Sequence, residues 1–142
     1  MSNSKKRKCN IGEIFLYQSV IAVAIFGYGK WRSRHPKFKD PFMRKLSSKS
    51  DDIDGWTLLH VANFFIMGQI FGPQCILPVL ATGIAWEGFE SVLGKKRPSW
   101  LGGFGDITDN VNAKENENWW FGRKSDLTAN LIGFILGCLF YK

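Results

Sequence analysis

The sequence predicts an all-α fold: a small integral membrane helical bundle with three to four transmembrane helices. Apolar residues gather into four runs of sixteen to nineteen residues, about what a helix needs to approach the thickness of a bilayer core. Between the runs stand Lys/Arg-rich stretches and a Gly72-Pro73 break, which end helices. The mean hydropathy of -0.10 looks like that of a soluble chain, but it averages very basic segments with very apolar ones.

Taken in order, residues 1–10 form a basic tail, "MSNSKKRKCN". The first apolar run, 11–29, carries Glu13 and Gln18 and is flanked by lysine and arginine. No small-residue cleavage site follows it, so it reads as a retained helix, spanning or interfacial, and not as a signal peptide. A basic loop covers 30–54. The remainder, 55–142, is a three-helix membrane core with a long polar loop at 95–125. Its first two runs, 55–72 and 75–93, meet across Gly72-Pro73, a link so short that they must form an antiparallel hairpin. The last run, from Asp126 to Tyr141, opens on Ser125-Asp126, residues suited to capping a helix. It also carries Gly133 and Gly137, four apart, where another helix can approach closely.

Charge orients this arrangement. Because the hairpin turn lies on one side, the chain near Asp54, Leu93 and Asp126 emerges on the other. The two loops on that side hold fourteen of the nineteen Lys and Arg, which makes it the cytoplasmic face by the positive-inside rule. The net charge of +7 is clustered between apolar runs and lines no helical face, a pattern that fits anionic lipid and makes nucleic acid an unfavoured partner. Cys9, Cys75 and Cys138 are odd in number and far apart. They support neither a disulfide framework nor a zinc site, and the expectation is reduced, structural thiols.

The polar residues inside the apolar runs are placed unevenly. His60 and Asn63 fall early in the second run, Glu87 and Glu90 late in the third, Asp126 and Asn130 early in the fourth. All six lie within about two helical turns of the same face, and each pair is spaced three or four apart, so its members share one side of their helix. Two glutamates at i, i+3 repel unless a positive charge is shared between them, and a divalent cation, a charged His60 or Arg123 would supply it. A mostly oxygen ligand set favours calcium, magnesium or manganese over zinc. His60, whose unperturbed pKa lies near neutrality, is then the proton acceptor. Arg123 and Lys124 stand where a lipid phosphate could be held.

The ordered set of His60, Trp86-Glu87-x-x-Glu90, Glu117-x-Trp119-Trp120, Asp126, Asn130, Gly133 and Gly137 resembles the catalytic core of the eukaryotic-type, base-exchange phosphatidylserine synthases, over about residues 54–141. That resemblance implies that Glu87, Glu90, Glu117 and Asp126, with Asn130, surround a calcium ion and the lipid phosphate, and that His60 activates the incoming headgroup alcohol. The chain departs from that family in having Phe121 where the family has an aspartate and one residue fewer between Asp126 and Asn130. "GRKSDLTANLIGFILG" is similar as well to the tail of VanZ-like membrane proteins, a likeness that bears on fold more than on function.

These observations give two expectations of different class. In the first, a multi-pass membrane protein binds a divalent cation, calcium first among them, and a phospholipid headgroup at a cytoplasm-facing acidic site, as a metal-dependent headgroup transferase would. His60 is its catalytic residue. Asn63, Arg123 and Asn130 bind substrate, and Glu87, Glu90, Glu117 and Asp126 bind metal. In the second, the helices anchor a non-catalytic scaffold of the kind found in a viral envelope or capsid-associated membrane protein, and the basic stretches carry the interaction. Membrane lipid, anionic lipid included, is the partner in both, and the Gly133–Gly137 face allows self-association.

Overall fold

The computed structural model describes residues 8–35, 37–47, 53–96 and 124–141. Among these the chain is all-α. Four α-helices occur: α1 Ile11–Ser33, α2 Gly55–Phe71, α3 Ile76–Lys96 and α4 Lys124–Cys138. Single 3-10 turns at Pro41–Met43 and Pro73–Cys75 join the series. The loop at 95–125, with Glu117 and Arg123, lies for the most part outside the described residues.

α1 runs four residues past the apolar segment that marks it in the sequence. Its start is capped by Asn10, whose side chain accepts from the backbone N–H groups of Gly12 and Glu13, and Lys30 and Arg32 occupy its last turn, where they complement the helix dipole. α2 begins with a capping box, in which Asp54 accepts from the Thr57 backbone while the Thr57 side chain accepts from the Asp54 N–H. It ends at Gly72, whose φ of 71° is the left-handed conformation that glycine adopts without strain. Pro73 then starts the turn into α3.

The segments Ile11–Arg32 and Pro73–Lys96 are long and apolar enough to cross a membrane. With 17 and 15 residues, α2 and α4 rise only about 25 and 22 Å at 1.5 Å per residue. α1 presents Ile11, Phe15, Leu16, Val20 and Val23 outward and buries Ile14.

Three polar or covalent contacts set the helix directions. Cys9 and Cys75 form a disulfide with their Cα atoms 5.3 Å apart. Gln18 donates to Thr82 at 2.9 Å, and His60 faces Glu87. α1 and α3 therefore run together away from the hairpin turn, and α2 and α4 run toward it. The disulfide overturns the expectation of three reduced thiols. Sequence separation hid it, since the two cysteines stand 66 positions apart in the chain and are brought together by the fold and not by any local motif. Cys138 stays a free thiol.

α2 and α4 form the closest helix pair. A Cβ at Gly133 would fall onto the backbone of Val61, one at Gly137 onto Phe65, and one at Gly68 onto Phe134. Small residues let the two backbones touch. The Gly133–Gly137 face is thus filled by α2 of the same chain. Around this pair Phe64, Met67, Phe71, Val79, Phe134 and Ile14 make a buried core at the turn half of the bundle. At the opposite end Leu93 packs with Phe26, Tyr28, Trp56 and Trp86. There the basic loop is tied down from α1, where Tyr28 donates to Asp40 at 2.9 Å and Arg32 lies 4.0 Å from the same carboxylate.

Candidate metal centre

The polar residues that the sequence scatters over three runs meet at the end of the bundle away from the turn. One ligand atom each from His60 of α2, Glu87 of α3 and Asp126 of α4 lies within 4.8 Å of the other two. Glu87 and Asp126 are buried and His60 nearly so. Removing two carboxylates from water is costly unless they are hydrogen-bonded, paired or bound to metal.

Each side chain is aimed by a neighbour. Asn130, 1% exposed, places its carbonyl oxygen 2.9 Å from Nδ1 of His60. An amide oxygen only accepts, so Nδ1 carries the ring proton and Nε2 is turned toward Glu87, 3.7 Å from Oε1. That separation is long for a hydrogen bond and suits two ligands of one ion. Asp126 lies within the first turn of α4, and its carboxylate accepts at 2.9 Å from the Thr57 hydroxyl across the helix pair. The expectation that Asp126 begins the helix as its cap is corrected accordingly, since the helix already starts at Lys124 and frees the carboxylate for α2. Thr57 is held in turn by Asp54, the residue that caps α2.

A histidine whose far nitrogen donates to a fixed acceptor, beside a carboxylate oriented by a hydroxyl, is the arrangement metal-binding residues take. The donor set is one imidazole nitrogen and carboxylate oxygens, open to manganese, magnesium, calcium or zinc. Calcium takes six to eight oxygens, more than two carboxylates give. Ligands from outside these three residues would be needed to complete that number.

The remaining expected residues divide. Glu90 is half-buried one turn beyond Glu87 and is not among the three converging groups. Asn63 turns to α1, where its amide donates to Gln18 at 3.4 Å, one turn below the cluster. Asn130 serves His60 from within the core. Glu117 and Arg123 lie outside the described residues.

Sequence reasoning passed over Thr57 and Gly83. Asp54-x-x-Thr57 is a capping-box spacing with threonine in the place usually held by Glu or Gln, a signal that was there to read. Gly83 has no sequence signature, yet a Cβ there would lie 2.7 Å from Nδ2 of Asn130, so α3 presses its backbone against the amide that orients His60. No family model, curated protein or solved structure matches the chain.

Proposed function

We propose that this is a multi-pass membrane protein whose site at the cytoplasmic end of the bundle binds a divalent cation and a phospholipid headgroup, and exchanges that headgroup as the phosphatidylserine synthases it resembles do. The observation that carries the reading is the convergence of His60, Glu87 and Asp126 from three helices within 4.8 Å, with His60 aimed by Asn130. Apolar side chains on the outside of α1 and α3 suit a lipid surrounding, and the motif residues shared with that family include all four of these.

A cation there would polarise the phosphodiester and offset charge that develops on its oxygens. In the exchange an alcohol oxygen, from serine or ethanolamine, bonds to the lipid phosphorus. The bond from phosphorus to the old headgroup oxygen breaks, and that oxygen takes up the proton released by the alcohol. Glu87 and Asp126 hold the ion. His60 joins them through Nε2, since Nδ1 is engaged by Asn130. This reading moves His60 from proton acceptor to ligand.

The test is purified protein in phosphatidylcholine or phosphatidylethanolamine vesicles with labelled serine, assayed with calcium, with manganese and with a chelator. The reading expects label in lipid only with a cation present, and loss of turnover and of ion affinity in His60→Ala with membrane insertion unchanged. Absence of exchange with every cation would reject the transferase. Unchanged ion affinity in a Glu87→Gln, Asp126→Asn variant would reject the metal site and leave the scaffold.

A further inference from the structure

The disulfide and the metal cluster stand at opposite ends of the bundle. Cys75 sits in the turn that enters α3 and Glu87 twelve residues later along it, about 18 Å away at helical rise. Cys9, at the start of α1, reaches Cys75 at the turn end, whereas His60, Glu87 and Asp126 share the other. A disulfide persists in an oxidising compartment and is reduced in the cytosol. The two basic loops, with fourteen of nineteen Lys and Arg, flank the cluster end, and positive loops stay on the cytosolic side. Two unrelated chemistries, sulfur redox and loop charge, therefore assign the two faces in the same sense.

From this we infer that the chain sits in its membrane with the Cys9–Cys75 bond in an oxidising lumen or exterior and the His60–Glu87–Asp126 cluster opening to the reducing side. The inference rests on the membrane reading but not on the transferase. This orientation places Lys5, Lys6, Arg7 and Lys8, which precede Cys9, on the far side against the positive-inside rule, and the larger charge of the opposite loops outweighs them. Bond closure turns two thiols into one disulfide while a dithiol-disulfide oxidant of that compartment is reduced to its dithiol. The bond fixes α1 to the α2–α3 hairpin at the end remote from the ligands.

The experiment uses the full chain translated into microsomes. Carbonate extraction is read first: release into the supernatant refutes the membrane reading itself, whatever the orientation. For integrated protein, an Asn-x-Thr glycosylation acceptor is placed in an N-terminal extension or in the 95–125 loop, and thiols are blocked with an alkylating reagent before and after reduction. The inference expects glycosylation of the extension alone and one alkylated cysteine before reduction against three after it. Cys9→Ser and Cys75→Ser each keep two cysteines, and the inference expects both of them to be alkylated before reduction. Glycosylation of the loop, or Cys9 and Cys75 open to alkylation in unreduced membranes, overturns it.

Discussion

Asn130 accepts from Nδ1 of His60 at 2.9 Å, and through this one hydrogen bond a buried amide on α4 decides which imidazole nitrogen α2 offers to the acids. Asn130→Ala removes the acceptor and frees the ring to rotate. Loss of such a supporting partner typically weakens metal binding by roughly 10- to 100-fold. Titration of the purified variant with manganese or calcium should show that loss, and Asn130→Asp, which can still accept from Nδ1, should recover part of it. Equal affinities in all three proteins would mean that His60 is not a ligand.

Cation binding should stabilise the folded bundle, because α2, α3 and α4 each give one ligand and the unfolded chain holds no such site. At a cation concentration one hundred times Kd the gain is about 2.7 kcal/mol. Thermal unfolding in detergent, followed with and without each cation, should show a rise in Tm that a chelator reverses and that Asp126→Asn abolishes. Asparagine still accepts from Thr57, so this variant without cation should melt close to the parent without cation.

Thr57→Val keeps the shape of the side chain and deletes a hydroxyl that serves the Asp54 cap and the Asp126 carboxylate at once. A buried acceptor that loses its donor costs about 1–3 kcal/mol. The variant should unfold at lower temperature, and Thr57→Ser, which keeps the hydroxyl, should restore most of the difference.

How much of this could be read from the residues follows from what each feature depends on. The helices and the hairpin follow from apolar runs and the Gly72-Pro73 break, which are local. Bringing His60, Glu87 and Asp126 to one end needed only helix direction and spacing, and the structure draws those three together. Asn63 was grouped with them because it lies three residues from His60, but a three-residue step turns a side chain by about 300° and down a turn, enough to hand it to Gln18. The disulfide, the filling of the Gly133–Gly137 groove by α2 and the contact of Gly83 with Asn130 are relations between distant segments. The Gly133-x-x-x-Gly137 spacing announces a close helix but not which one, and nothing in the flanking residues announces the other two.

Gly133→Leu tests whether the closeness of α2 and α4 is what assembles the site. A side chain at Gly133 must displace the backbone of Val61, and backbone, unlike a rotamer, yields only if the helices part. Overpacking costs typically 1–3 kcal/mol, and separation would draw Asp126 and Asn130 away from Thr57 and His60. Both thermal stability and cation affinity should fall together. The same substitution at Gly27, where a Cβ meets nothing within 4 Å, should change neither by much.

Gly83→Val reaches the cluster from the third helix without altering a ligand. A Cβ at this position would lie 2.7 Å from Nδ2 of Asn130 and 2.8 Å from the Phe64 ring, both of them buried. The ring is the end of a flexible side chain, but it is packed in the core and can move only at the expense of its neighbours. Asn130 has a shorter reach and is held on its other side by His60, so its amide should give way and release Nδ1. The expected result is a loss of cation affinity close to that of Asn130→Ala, with little further loss when the two substitutions are combined, because they break the same link. Full additivity in the double variant would show that Gly83 acts on the site by some route other than Asn130.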